Sequence, residues 1–313
     1  MFKLKSKLKE DLTAGISLTD HGIALAIVNH KSAKPILQYA QFHKCDPIER
    51  SEQLGQLVTQ YDLNNIACNL VLCPADYQLL YVDTPDVPQQ ELSAALRWQI
   101  KDSIDFHIDD AVIEHIALSN QNTLMNESQL VVASRESLIK SYVHLLASVN
   151  CNLTSIDIAA LATRNIISQT PLADLDTSIA VLNLWNETAK ISVLLKNEVY
   201  LERASNLTLE SVVDAIDDNS NSNARLSLDS LALELQRTFD YYESHSRQPS
   251  ISHLCIMTNG ANIFGLNELI QQRLGLDCLL INMTDVISAN KETLASVTNN
   301  CIMAIGGALR TER

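Results

Sequence analysis

A chain of 313 residues, 46% of them hydrophobic, is long enough to bury a sizeable core as one large domain or two linked ones. With 37 acidic against 23 basic residues, its formal charge of -14 repels nucleic acid and anionic headgroups, so functions that depend on gathering either are set aside. No run approaches the roughly 18 consecutive apolar residues that span a bilayer, so a soluble, cytoplasmic protein is expected.

The first ten residues depart from the acidic average. They carry Lys3, Lys5, Lys7 and Lys9 against one Glu, a net +3 that leaves -17 for the rest. They lack the apolar core and cleavage site of a signal peptide. Residues 1–12 therefore read as a basic tail, either a solvated terminus or an aid to peripheral contact with an anionic inner membrane. Seven cysteines form an odd set without a CxxC pair, several inside apolar runs such as NIACNLVLC, which fits reduced, buried thiols better than disulfides or zinc.

Along the chain, Ala14 to Val28 (AGISLTDHGIALAIV) and Ile179 to Leu195 (IAVLNLWNETAKISVLL) share one pattern. Each is an apolar run, a polar turn and a second alternating run, which predicts a β-hairpin. These hairpins head the two halves and predict two similar lobes: lobe 1 over 13–175, with a small subdomain over about 84–150, and lobe 2 over 176–313. Between them come helix-like ERSEQLGQLVTQY, strands NIACNLVLC and YQLLYVD, and a helix from Gln89 to Ser103. Strands AVIEHIAL and QLVVAS, a helix from Arg135 to Ser148, strand LTSID and helix IAALATRNII follow. In the second half, residues 217–224 (DDNSNSNA) read as a mobile loop. A helix with Leu228, Leu231, Leu235, Phe239 and Tyr242 on one stripe comes next, then strand SHLCIMTNG, helix LNELIQQRLG and a final helix over about 293–310 that returns to lobe 1.

Five segments, in this order and spacing, resemble the PilM family of type IV pilus assembly proteins. They are GISLTDHGIALAIV; TPDVPQQELSAALRWQIKDSIDFHIDDAVIEH; LVVASRESLIKSYVHLLASVNCNLTSIDIAALATRN; the second hairpin with KNEVYLERASN; and LELQRTFDYYE leading into CIMTNGANIFGLNELIQQRLGL. The resemblance implies an α/β protein of the actin-like (ribonuclease H-like) two-lobed fold, with the small subdomain of PilM and of the division protein FtsA. It also implies ATP between the lobes and a groove for the cytoplasmic tail of a PilN-like, single-span membrane protein.

Fold transfers more safely than function, so the site positions matter one by one. The first phosphate loop of working members resembles D-I-G-S-S-S-V-K. Here the stretch reads Ser17-Leu18-Thr19-Asp20-His21-Gly22-Ile23-Ala24, so the metal-ordering Asp and the Lys are replaced and Asp20 stands where phosphate oxygens would come. The second loop should read D-I-G and reads Asn183-Leu184-Trp185; the nucleoside-side Gly-Gly survives as Asn259-Gly260. No ATP, no metal and no catalysis are expected, and the reading is a scaffold at the pilus platform.

Three other features have plainer explanations. Asp20-His21 sits in a polar hairpin turn that needs no acid-base chemistry. His107 with Asp105, Asp109 and Asp110 lacks metal-site spacing and reads as solvated loop. Gly306-Gly307 lies in an apolar helical pattern and reads as close helix packing. On the helix from Gln89, Leu92, Leu96, Ile100 and Ile104 form the core stripe and Trp98 falls opposite, facing either a partner or the neighbouring lobe. Trp98, Ile104 and Phe106 are the expected partner-binding residues. The rival readings are an ATP-driven switch of the same machine, a metabolite kinase sharing the fold, and the cytoplasmic part of a type II secretion L-type protein, which is expected to lead into a transmembrane helix.

Overall fold

A computed structural model describes residues 9–119, 128–184, 189–205, 208, 212–213, 222–246, 248–258 and 265–311. The chain divides into two compact units, Met1–Ile166 with Ile287–Arg313, and Ile167–Val286.

The first unit is built on a six-stranded sheet. Strands β1 (Leu12–Thr19), β2 (Gly22–Asn29) and β3 (Ile36–Lys44) form an antiparallel meander; helix α1 (Arg50–Tyr61) leads into β4 (Ala67–Leu72), which runs parallel to β1. β5 (Gln78–Asp83), α2 (Leu92–Ile100), β6 (Ala111–Leu118) and β7 (Ser128–Arg135) then build a separate three-stranded antiparallel sheet in the order β5-β7-β6. Helix α3 (Glu136–Ser148) returns the chain to β8 (Leu153–Ile158), parallel to β4, and α4 (Ala159–Ile167) leaves the unit. β1 and β2 are buried over nearly their full length, so both faces of these two strands are covered, and β2 (GIALAIVN) is an almost unbroken apolar run.

The second unit repeats the plan. β9 (Ser178–Leu184), β10 (Ala189–Leu195) and β11 (Glu198–Ser205) form an antiparallel meander. The two-residue turn of β10–β11 places Lys196 at φ 48° and Asn197 at φ 64°, the positive pair that a hairpin of matching twist requires. Helix α5 (Ser222–Ser246) follows, then β12 (Ile251–Thr258), α6 (Leu266–Leu274), β13 (Asp277–Leu280) and α7 (Met283–Val286). The order β11-β10-β9-β12-β13 matches β3-β2-β1-β4-β8, with three antiparallel strands followed by two parallel ones. Leu231, Leu235, Phe239 and Tyr242 of α5 are buried as one stripe.

The chain then re-enters the first unit. β14 (Ser288–Ala289) pairs with β3, and α8 (Lys291–Ser296) and α9 (Ile302–Ala308) follow. The predicted span of about 293–310 is thus two helices, broken where Val297 and Thr298, β-branched, precede Asn299 and Asn300. The predicted helix Gln89–Ser103 is regular only over Leu92–Ile100, with Glu91 as its N-cap. Ser222–Ala224 of the predicted mobile loop are helical; its residues 217–221 lie outside the described residues. All seven cysteines are free, six buried and Cys73 half-buried.

Helix α9 lies directly on the central strands and on α4 because glycines let it. A Cβ at Gly15 would sit 1.9 Å from the Ala304 carbonyl oxygen, and one at Gly306 would sit 2.4 Å from that of Ala162. The last carbonyls of a helix have no partner within it. Here Asn69 Nδ2 donates to Gly307 O at 2.9 Å, Asn165 Nδ2 to Gly306 O at 3.0 Å, and His30 Nε2 to Ala308 O at 2.9 Å. Beyond them Arg310 pairs with buried Asp157 at 3.3 Å; burial pushes the Asp157 carboxyl up, against the pull of the guanidinium.

Gly306→Ala should therefore lower stability by about 1–3 kcal/mol through overpacking. Gly55→Ala should raise it by about 0.5–1 kcal/mol, because Gly55 lies inside α1 and its added Cβ would meet only Val149 Cγ1 at 3.8 Å. Urea denaturation of the two variants should show midpoints moving in opposite directions.

Candidate functional site

The β1–β2 hairpin holds four of the residues assigned above to a decayed nucleotide cleft. Ser17 is buried, pairs across the hairpin with fully buried Ala24, and has its Oγ 3.9 Å from Cys73 Sγ. The turn is bound to itself. Thr19 Oγ1 donates to Gly22 O at 3.4 Å and accepts from His21 N–H at 3.3 Å, while Asp20 points its charge outward from an exposed position. Arg50, at the start of α1, gives its Nη2 to Thr19 O at 2.7 Å, so this cation is committed to the backbone of the turn.

In the second unit Asn183 is the penultimate residue of β9, 1% exposed, and neither amide atom has a partner among the described residues. Register places it on one sheet face with Lys190, Ser192 and Glu202. Lys190 Nζ lies 3.3 Å from Glu202 Oε1, so the lysine is already neutralised, and the Ser192 hydroxyl is also unpartnered. Trp185, Asn259 and Gly260 lie outside the described residues.

The expected partner-binding residues lie on the small sheet. Leu92, Leu96 and Ile100 of α2 are buried against Val131 and Ala133 of β7, with Ile104 and Phe106 half-buried in the same cluster. Burying each large aliphatic chain contributes roughly 1.5–3 kcal/mol, which fixes α2 on this face. A polar relay reinforces it: Ser93 Oγ bonds His115 Nε2 at 3.3 Å, His115 Nδ1 bonds Gln129 Oε1 at 3.1 Å, and Gln129 Nε2 donates to Thr84 Oγ1 at 3.0 Å. Trp98 stands on the outer face, 70% exposed, with Lys101 Nζ 4.6 Å from its ring centroid. The arrangement thus separates Trp98 from Ile104 and Phe106, which pack beneath the helix; Arg135 stacks over Phe106 at 4.7 Å. His107, Asp105 and Asp109 are exposed, and no group of three His, Cys, Asp or Glu suited to a metal occurs among the described residues.

Two features are absent from the sequence reading. On the sheet face opposite α2, Tyr81, Leu130 and Ile116 form one cross-strand row, with Tyr81 and Ile116 each 37% exposed. The signal was present in QLLYVD and AVIEHIAL, whose apolar residues occupy both faces. The second is a polar knot where β4 leaves the large sheet and β5 enters the small one. Asp76 Oδ2 accepts from Cys73 N–H at 3.2 Å and from the Tyr142 hydroxyl at 3.3 Å, and Ser134 Oγ donates to Asp76 O at 2.7 Å. Burial pushes the Asp76 carboxyl up. The Cys73 thiol is pushed up to about 11 by burial and then by the Asp76 charge, which leaves it a poor nucleophile at neutral pH. Donors and acceptors close on one another here, an arrangement that ties the two sheets together.

Because the folded Asp76 carboxyl titrates above its ordinary value, the native state holds the proton longer than the unfolded chain does. Its ionisation therefore costs stability as pH rises from the ordinary carboxylate range through the raised value. Measured by urea unfolding between about pH 4 and 7, wild type should lose stability relative to Asp76→Asn as pH rises, then run parallel to it. A relative gain by wild type would contradict the burial argument.

Comparison with known proteins adds the following. Residues 77–223 match the family model described as type IV pilus assembly protein PilM, a stretch short of half the chain, so this segment is PilM-like. None of the curated protein sequences matches. Among solved structures, the chain is similar to one described as a PilM-PilN type IV pilus biogenesis complex, with TM-score 0.72 and 17% identity, covering 95% of this chain and 97% of that one. It is similar to the cytoplasmic domain of EpsL, an inner membrane component of the type II secretion system of Vibrio cholerae, with TM-score 0.50 and 13% identity over 84% of this chain and 93% of that one. It also resembles a Bacteroides thetaiotaomicron protein with an actin-like ATPase fold and unknown function, with TM-score 0.52 and 9% identity over 92% and 95%. At these identities the likeness establishes the actin-like fold.

Proposed function

We propose that this chain is a non-catalytic scaffold of a type IV pilus assembly platform, binding through its small sheet the cytoplasmic tail of a PilN-like, single-span membrane protein. The observation that carries this reading is the likeness, over 95% of the chain, to a structure described as a PilM-PilN complex, joined to the PilM match over 77–223. Trp98 supports it: an exposed indole on a helix whose other face is locked into a core is the kind of anchor that partner surfaces use. Within the family we assign the chain to the mannose-sensitive haemagglutinin (MSHA) pilus as its MshI protein, with an MshJ-type partner, from the order of the five segments quoted above. Its place is the cytoplasmic side of the inner membrane, with the basic tail as an aid; among the described residues no helix is long and apolar enough to cross a membrane. Lys9 is occupied by Asp62 at 3.0 Å, so the tail's part rests on Lys3, Lys5 and Lys7, outside the described residues.

The pseudo-enzyme part of the reading rests on Ser17, Thr19, Asp20, Ala24 and Asn183. A turn bonded to itself, an outward Asp20 and a buried amide in place of a metal-ordering carboxylate supply no phosphate or magnesium ligands. A second reading, the cytoplasmic domain of a type II secretion L-type protein, is favoured by the EpsL likeness. It shares the platform role and differs in the partner.

Two measurements test the proposal. Capture by the tail peptide of the PilN-like protein encoded beside this one should weaken by about 2 kcal/mol or more in Trp98→Ala. The melting temperature of that variant should stay near wild type, whereas Phe106→Ala should lower it. Full capture by a folded Trp98→Ala protein would place the surface elsewhere, and no capture by wild type would remove the scaffold reading's main support. In calorimetry, magnesium-ATP should give no binding; a micromolar dissociation constant, worth about -8 kcal/mol, would make this an active nucleotide switch.

A further inference from the structure

The second unit carries an exposed stripe that neither the peptide surface nor the nucleotide question uses. On helix α5 the residues Leu233, Arg237, Tyr241 and His245 follow at four-residue spacing and share one face. Leu233 is 49% and Tyr241 45% exposed, on the side away from the buried Leu231, Leu235, Phe239 and Tyr242. Tyr241 is held from both sides. Its ring stacks on His245 with centroids 4.2 Å apart, and the Arg203 guanidinium, reaching over from β11, lies 5.3 Å from its centroid.

Both arginines, Arg203 and Arg237, are exposed, and neither has a carboxylate partner among the described residues. The four acids of α5 each have another partner: Glu234 takes the Ser205 hydroxyl, Asp240 takes Gln236 Nε2 at 3.1 Å, Glu243 accepts from Ile251 N–H at 3.3 Å, and Asp229 pairs with Arg273 at 2.8 Å. In a chain with 37 acidic and 23 basic residues, two guanidinium groups without a carboxylate partner among the described residues, flanking an ordered tyrosine, form a local exception to the prevailing charge. Arginine and tyrosine are also the residue types that dominate binding energy at protein surfaces.

We infer that the Arg203–Arg237–Tyr241–Leu233 stripe is a docking surface for an acidic partner segment carrying apolar anchors, distinct from the surface on the small sheet. Carboxylates would pair with the two guanidinium groups while a leucine or phenylalanine packs on Leu233 and the face of Tyr241. A second copy of this chain fits less well, because the body it would bring carries a formal charge of -14.

The test uses a fluorescein-labelled peptide of three Glu-Leu-Glu-Phe repeats, titrated against the full chain by fluorescence anisotropy. Saturable binding is expected, weakened about tenfold or more in Arg203→Ala/Arg237→Ala and in the charge reversal Arg237→Glu, weakened by added salt, and unchanged in Trp98→Ala. All substituted positions are exposed, and unchanged melting curves would confirm that the variants fold. No binding up to about 100 µM protein, equal binding of a Lys-Leu-Lys-Phe peptide, or undiminished binding by the folded double variant would overturn the inference. So would sedimentation showing a wild-type dimer that Leu233→Asp dissolves, since the stripe would then serve self-association.

Discussion

The first unit depends on one constraint: its large sheet is covered by a helix that arrives at the end of the chain. Asn69 and Gly307, which share a hydrogen bond, stand 238 residues apart, so the central strands stay uncovered until β14, α8 and α9 return. The contact is closer than side chains permit, which is why Gly15 and Gly306 bear none, and the helix's orphan carbonyls are taken by Asn69, Asn165 and His30. A seven-residue helix has little stability of its own. It is held by the strands it covers, and it in turn buries one face of them.

With the central strands of the large sheet buried, we place recognition on an element apart from it. The small sheet is such an element. Its α2 face is closed by Leu92, Leu96 and Ile100, its opposite face keeps Tyr81 and Ile116 partly open, and its helix turns Trp98 outward. The polar knot of Cys73, Asp76, Tyr142 and Ser134 fixes where this sheet leaves the large one. In the nucleotide-loop positions the same economy holds. Arg50 is bonded to the backbone of the β1–β2 turn and Lys190 to Glu202, so both cations are engaged within the fold.

Much of this architecture is legible in the sequence because periodicity encodes it. The hairpins at Ala14 and Ile179 alternate as strands must, and the stripe of Leu231, Leu235, Phe239 and Tyr242 marks the buried side of α5. The packing role of Gly306 could also be read, from glycine in an apolar helical pattern. What could not be read depends on contacts distant in sequence. That Ile104 and Trp98 take opposite sides was carried by the helix's own pattern, but that Phe106 would join the buried cluster follows from the placement of β7. The knot around Asp76 joins residues 66 positions apart, and the lone pairing of Lys190 with Glu202 depends on strand register. The break between α8 and α9 was missed because apolar spacing continues through it.

The central claim is that ligand recognition in the first unit lies on the small sheet and not at the hairpin loops. Hydrogen-deuterium exchange of the full chain, with and without the cytoplasmic tail peptide of a PilN-like membrane protein, and separately with magnesium-ATP, tests it most directly. The account predicts slowed exchange over β5, α2 and β6 with the peptide, and an unchanged pattern with magnesium-ATP. Protection of the β1–β2 and β9–β10 hairpins by magnesium-ATP, with no response of the small sheet to the peptide, would contradict it.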